Sequence, residues 1–68
     1  MQFNKRDFRA DVRRVLLAGF GTTPADATRD QLRSAVNQTA AALAGFYPDA
    51  TAFRTDVQNA VRDWFRGK

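Results

Sequence analysis

Three stretches of apolar residues recur at helical spacing along this chain, and glycine or proline separates each stretch from the next. Apolar side chains three or four positions apart lie on one face of an α-helix, so each stretch predicts an amphipathic helix. No stretch alternates apolar and polar residues between turn signals, so no strand is predicted. Three such helices with short connections favour an all-α fold, a small three-helix bundle.

Capping residues and helix breakers set the expected limits of helix 1. Asn4 is a suitable N-cap, and helix 1 should run from about Lys5 to Ala18 before glycine ends it. In the following connection, Pro24 suits the first position of a helix. The sequence therefore predicts one short extra helical turn over Pro24–Ala27, between helices 1 and 2.

The limits of helices 2 and 3 follow from the same reasoning. A capping-box sequence beginning at Thr28 should open helix 2, which is predicted over residues 29–44. Pro48 disfavours a helical backbone at the residue before it, so helix 2 cannot continue into helix 3. Asp49 should cap helix 3, which is predicted over residues 50–66. The predicted inner faces are Phe8, Val12, Val15, Leu16 and Gly19 on helix 1; Leu32, Val36, Thr39 and Leu43 on helix 2; and Phe53, Val57, Ala60, Val61 and Trp64 on helix 3.

Helices 1 and 3 share a local sequence pattern. Residues 8–20 and 53–65 both begin with Phe-Arg-x-Asp-Val and both end in Phe, in the same register. Two amphipathic helices drawn from one biased composition agree at core positions by chance, and a duplication would produce the same match. The sequence leaves both origins open.

Composition limits both the size of the core and the chemistry. The chain has 68 residues, which fits a single helical domain over 1–68, with 11 Lys and Arg against seven Asp and a net charge of +4. Without His or Cys, the commonest general base and the strongest nucleophile are missing. The aspartates fit solvated helix edges, so we expect no enzyme, no catalytic residues, no metal, no cofactor and no small-molecule substrate.

No apolar stretch approaches the roughly 20 residues that span a bilayer, so no membrane association is expected. The first residues lack the apolar core of a secretion signal. These two features favour a cytoplasmic location.

The candidate binding residues are arginines on outer faces and apolar side chains outside the predicted core. Arginine binds phosphates and carboxylates alike, although the interspersed aspartates also fit a face that only solubilises the chain. Leu17 projects opposite the apolar face of helix 1, and Phe65 lies beside the arginines of helix 3. Exposed apolar side chains often mark contact surfaces, unless the folded chain covers them. The candidates are Arg6, Arg13, Leu17, Arg54, Gln58, Arg62 and Phe65.

Helix 2 differs from an ordinary solvated helix because its outer face is small and uncharged. This face permits another helix to approach closely, and its residues are Ser34, Asn37, Gln38 and Ala41.

Two functional hypotheses remain at this point. The first is a non-catalytic binding module or accessory subunit, such as a phage- or plasmid-type accessory protein, that docks on a larger protein assembly or self-associates. Aromatic and arginine side chains are common anchors of such interfaces. The alternative is a nucleic-acid-binding protein that contacts phosphates through the arginines of helices 1 and 3.

Overall fold

In a computed structural model, residues 2–68 are described and form three α-helices without a strand. They are α1 (Lys5–Phe20), α2 (Arg29–Leu43) and α3 (Ala50–Phe65). The all-α three-helix fold predicted from the sequence is confirmed, and each helix end lies within two residues of its predicted position.

The additional short helix lies in a different connection from the predicted one. Between α1 and α2 the chain makes a single hydrogen-bonded turn, in which Ala27 donates its backbone N–H to the carbonyl of Thr23 at 2.8 Å. The turn does not continue as a helix. The first turn of a helix is unfavourable because it fixes the backbone angles of several residues and gains few hydrogen bonds. A 3-10 helix instead follows α2 over Ala44–Phe46 and ends at Tyr47, whose backbone is extended before Pro48.

The predicted N-caps are confirmed at all three α-helices. The side chains of Asn4 and Asp49 each accept a 3.0 Å hydrogen bond from the backbone N–H three residues on. At α2, Thr28 and Gln31 form the reciprocal capping box, with bonds of 3.1 and 3.0 Å. These bonds satisfy backbone donors that have no partner inside the helix, so short polar sequences decide where each helix begins.

The core consists of apolar side chains from all three helices and one residue of the first connection. Most predicted inner-face residues are buried, while Val15, Leu43 and Trp64 are only partly covered. Gly19 was wrongly assigned to the inner face: it is exposed in the last turn of α1, and a Cβ added there would meet no atom within 4 Å. The buried residues are Phe8, Val12, Leu16, Ala27, Leu32, Ala35, Val36, Thr39, Phe53, Val57, Ala60 and Val61.

The packing of the three helices is uneven. Helix α1 packs extensively against α2 and also against α3, whereas α2 and α3 contact each other much less. At one end, the connection at residues 44–49 joins α2 to α3. At the other end, the Arg29 guanidinium lies 5.7 Å from the centre of the Phe65 ring. Helices α2 and α3 therefore run antiparallel.

Candidate protein-binding groove

A groove of about 690 Å³ occupies the space between α2 and α3. Residues of both helices and of the adjoining 3-10 helix line it, and no residue of α1 does. We call it the α2–α3 groove. Its lining residues are Arg33, Val36, Asn37, Ala40, Ala41, Ala44, Ala50, Phe53, Arg54, Val57, Gln58, Val61, Arg62 and Phe65.

The floor of the groove is apolar, and its edges near the 44–49 connection are lined by alanines. Val36, Val57 and Val61 belong to the buried core, so the floor is the outer surface of the folded interior. Ala41 and Ala44 are exposed on the α2 side. An alanine side chain is a single methyl group, so these positions cannot reach across to α3. The small residues on α2 leave the space between the helices unfilled.

The walls of the groove are basic. Exposed arginines project from both helices, Arg33 from α2 and Arg54 and Arg62 from α3, and no aspartate lines the groove. Among residues 2–68, the ion pairs are Arg14–Asp11 and Arg66–Asp63, and both lie outside the groove. Arg62 donates a hydrogen bond to Asn59, a neutral partner. The groove thus combines an apolar floor with three guanidinium groups that no carboxylate of residues 2–68 neutralises.

The arginines are distributed unequally along the groove. Arg33 lies one turn after Arg29, and Arg62 lies about one turn before Phe65. Because Arg29 contacts Phe65, Arg33 and Arg62 occupy opposite walls at the same end. Arg54 lies about two turns away, towards the end where the opposite side is lined by alanines of α2 and of the 3-10 helix. One end of the groove is therefore basic on both walls and the other end on one wall.

No family model matches this chain. Searches of the curated proteins and of the solved structures find no match either.

Two further structural features concern membranes and metals. Within residues 2–68, none of the helices has the length and apolar character that a bilayer crossing requires. The same residues contain no group of three or more side chains suited to hold a metal ion.

Four of the seven candidate binding residues lie together in the groove. Arg54, Gln58, Arg62 and Phe65 all line its α3 side. Asn37 and Ala41, from the small uncharged face of α2, line the opposite side. Two features noted separately in the sequence thus face one another across a single surface. The other two residues of the α2 face, Ser34 and Gln38, hydrogen-bond each other at 3.0 Å outside the groove.

The three candidates on α1 lie outside the groove. Leu17 is 66% exposed, so the connection after α1 does not cover it. Arg6 and Arg13 border a shallow depression together with Lys5 and Arg9. The structure therefore separates the candidates into two surfaces rather than joining them in one.

Arg13 is partly engaged within the chain itself. The guanidinium carbons of Arg9 and Arg13 lie 4.7 and 5.2 Å from the centre of the Trp64 ring, within the range of cation–π attraction. These contacts fix α1 against the C-terminal half of α3. An external ligand of Arg13 would compete with its stacking on Trp64.

Arg33 and the valine floor belong to the groove but were not among the candidate binding residues predicted from the sequence. The floor residues were assigned to the core, correctly, but a core side chain can also form the base of a groove. Arg33 lies one turn before Asn37 on the small face of α2, which was the available signal. That Arg33 belongs to the same surface as the arginines of α3 follows only from the packing of α2 beside α3.

Proposed function

We propose that this chain is a non-catalytic helical binding module that holds an α-helix of a larger partner protein in the α2–α3 groove. The observation that carries the proposal is the combination of an apolar floor with exposed arginine walls between two antiparallel helices. Apolar surface favours burial by a partner, and arginine is enriched among the residues that dominate interface energies. A small accessory subunit, for example of a phage- or plasmid-type assembly, fits this description.

A helix suits the groove better than an extended segment or a compact ligand. The groove follows α3 from Ala50 to Phe65, a length of roughly 22 Å at the rise of an α-helix. A docked helix of similar length would present anchors at i, i+3, i+4 and i+7 to the floor. It would also turn three helices into a four-helix arrangement, in which α2 and α3 both gain a packing partner. No β-edge is present in residues 2–68 for a strand to pair with.

Blocking the groove should abolish helix binding. A display library of helix-forming peptides would be selected against the wild-type protein, and the selected peptides titrated against Ala41→Trp. Ala41 is exposed on the edge of the groove, so the indole should fill the space without entering the core. We expect affinity to fall by about 100-fold, because the anchors lose their contacts with the floor.

The matched control is Ala42→Trp, a neighbour that is also exposed but does not line the groove. It should leave the affinity within about twofold, as surface substitutions usually do. Circular dichroism would verify that both variants keep their helical content. A library that yields no binder, or binders unaffected by Ala41→Trp, would refute the proposed function.

The nucleic-acid alternative has its own supporting observation. Lys5, Arg6, Arg9 and Arg13 line one depression along the first half of α1, forming a local basic surface. If this surface binds phosphates, electrophoretic shifts of DNA or RNA should weaken steeply with salt, and replacing Arg6 and Arg13 by glutamine should reduce the slope by about 2. Failure to bind at low salt would eliminate this alternative.

A further inference from the structure

We infer that the helix held in the α2–α3 groove is acidic, with its carboxylates concentrated at the end that lies between Arg33 and Arg62. The inference rests on the proposed function, because it names the partner class of the same groove. It adds two features that helix binding alone does not require, a negative charge and its uneven placement along the helix.

The sign of the charge follows from the walls. Three exposed arginines border the groove and no aspartate does, so an uncharged or basic occupant would leave three guanidinium groups beside it without a counter-charge. Docking would also remove water from the apolar floor, and an ion pair is stronger where water is excluded. A guanidinium can form two parallel hydrogen bonds to one carboxylate, which favours acidic side chains next to the anchors.

A second copy of the chain does not meet this requirement. In a symmetric pair with groove against groove, Arg33, Arg54 and Arg62 would approach the same residues of the other copy. No helix of the chain is acidic either. Helix α1 carries five cationic side chains and two aspartates, α2 carries two cationic side chains and one aspartate, and α3 carries two cationic side chains and two aspartates. Like charges brought together oppose association, so the occupant belongs to a different protein.

The placement of the charge follows from the order of residues along the groove. Arg33 and Arg62 stand on opposite walls at the end where Arg29 contacts Phe65. At the other end, Arg54 shares the groove with alanines of α2 and of the 3-10 helix, and no arginine of α2 lines that end. A fitting helix therefore carries acidic side chains on both sides of its apolar stripe at one end. Towards the other end it carries them on one side only.

The sign of the charge can be tested with three synthetic helical peptides of about 18 residues, long enough to span the groove. They share one leucine stripe and carry Glu, Gln or Lys at the positions that flank it. Fluorescence anisotropy should show the Glu peptide binding roughly tenfold more tightly than the Gln peptide, since each exposed ion pair contributes up to about fivefold. The Lys peptide should bind most weakly, and high salt should reduce the differences.

Variants of the protein identify the groups responsible. The triple variant Arg33→Gln, Arg54→Gln, Arg62→Gln should bind the Glu and Gln peptides within about twofold of each other. The control removes three charges elsewhere, through Lys5→Gln, Arg14→Gln and Arg66→Gln, and should keep the preference for Glu. All three control positions are exposed, and none lines the groove.

The uneven placement has a separate readout. With a peptide that carries Glu in one half only, Arg33→Gln and Arg62→Gln should each weaken binding about threefold, and Arg54→Gln by less than about twofold. This result does not depend on the direction in which the peptide docks. A larger loss with Arg54→Gln would overturn the uneven placement.

The outcomes separate the inference from the proposed function. Equal binding of the Glu, Gln and Lys peptides, with sensitivity to Ala41→Trp, would overturn the acidic partner and leave helix binding in place. Binding of none of the three would overturn both. A preference for Glu that survives the triple groove variant would also overturn the inference, because the selecting charges would then lie elsewhere.

Discussion

Replacing Leu16 by alanine is expected to lower the free energy of unfolding by about 2–5 kcal/mol, while Leu17→Ala changes it by less than about 0.5 kcal/mol. The two leucines are adjacent in α1 but differ completely in environment: Leu16 is 0% exposed and Leu17 is 66% exposed. At Leu16 the substitution removes buried methyl groups and leaves a cavity. At Leu17 the removed atoms already face water, and alanine is a good helix former.

The expected loss at Leu16 is comparable to the whole stability of the chain. The free energy of unfolding of natural proteins is about 0.05–0.15 kcal/mol per residue, which for this length gives roughly 3–10 kcal/mol. Urea denaturation followed by circular dichroism would measure both variants against the wild type. Similar losses for the two substitutions would contradict the packing of α1, because they would require Leu17 to be buried as well.

Removing the Phe53 side chain should have an effect of similar size. We expect Phe53→Ala to cost about 3–5 kcal/mol, since Phe53 is 7% exposed and lies in a cluster of aromatic rings. Its ring stacks on Tyr47 with centroids 4.5 Å apart and meets Phe3 edge-on at 5.9 Å. The ring of Phe3 in turn packs against that of Phe8 of α1, with ring centroids 5.6 Å apart. The substitution would therefore loosen α1 and the connection before α3 together.

Phe46→Ala provides the control for this prediction. Phe46 lies in the 3-10 helix and is 57% exposed, so its removal should change stability by less than about 0.5 kcal/mol. Thermal unfolding monitored by circular dichroism would show a much larger decrease of Tm for Phe53→Ala. If Phe46→Ala were the more destabilising of the two, the assignment of the aromatic cluster to the core would be wrong.

The loss expected at Phe53 bears on the groove, because Phe53 and the valines of the groove floor are also core residues. The surface that we propose for partner binding is built on side chains that the fold needs. Substitutions on the floor would therefore mix loss of stability with loss of binding. The arginines and alanines at the edges are exposed, and they allow binding to be changed while the core stays intact.

The helices could be predicted closely because their limits depend on neighbouring residues. Asn4, Thr28 and Asp49 act through hydrogen bonds to backbone groups three positions on, and Gly21 ends α1 with a left-handed backbone at φ 63°. Such interactions join residues that are close together along the chain, so they can be predicted from a short stretch of sequence. The turn predicted over Pro24–Ala27 forms but does not continue as a helix, because a single turn has few hydrogen bonds of its own, and the 3-10 helix at Ala44–Phe46 was not predicted.

The candidate site was predicted only in part. Arg54, Gln58, Arg62 and Phe65 share one edge of a helical wheel, so the sequence could group them before any packing was known. Arg33 could not be added to that group, since it lies on another helix and joins them only across the groove. The α1 candidates were chosen for their positions on the outer face of their own helix, and the fold places them outside the groove.

The sequence by itself determined that this chain forms three capped amphipathic helices, because helical periodicity and capping act within a few residues along the chain. It also determined the arginine edge of α3 and the small uncharged face of α2. Only the tertiary structure decided that these two features border one groove. The reason is that α1 packs against both other helices while the small side chains of α2 leave the space beside α3 unfilled, and no local pattern encodes the distance between two helices.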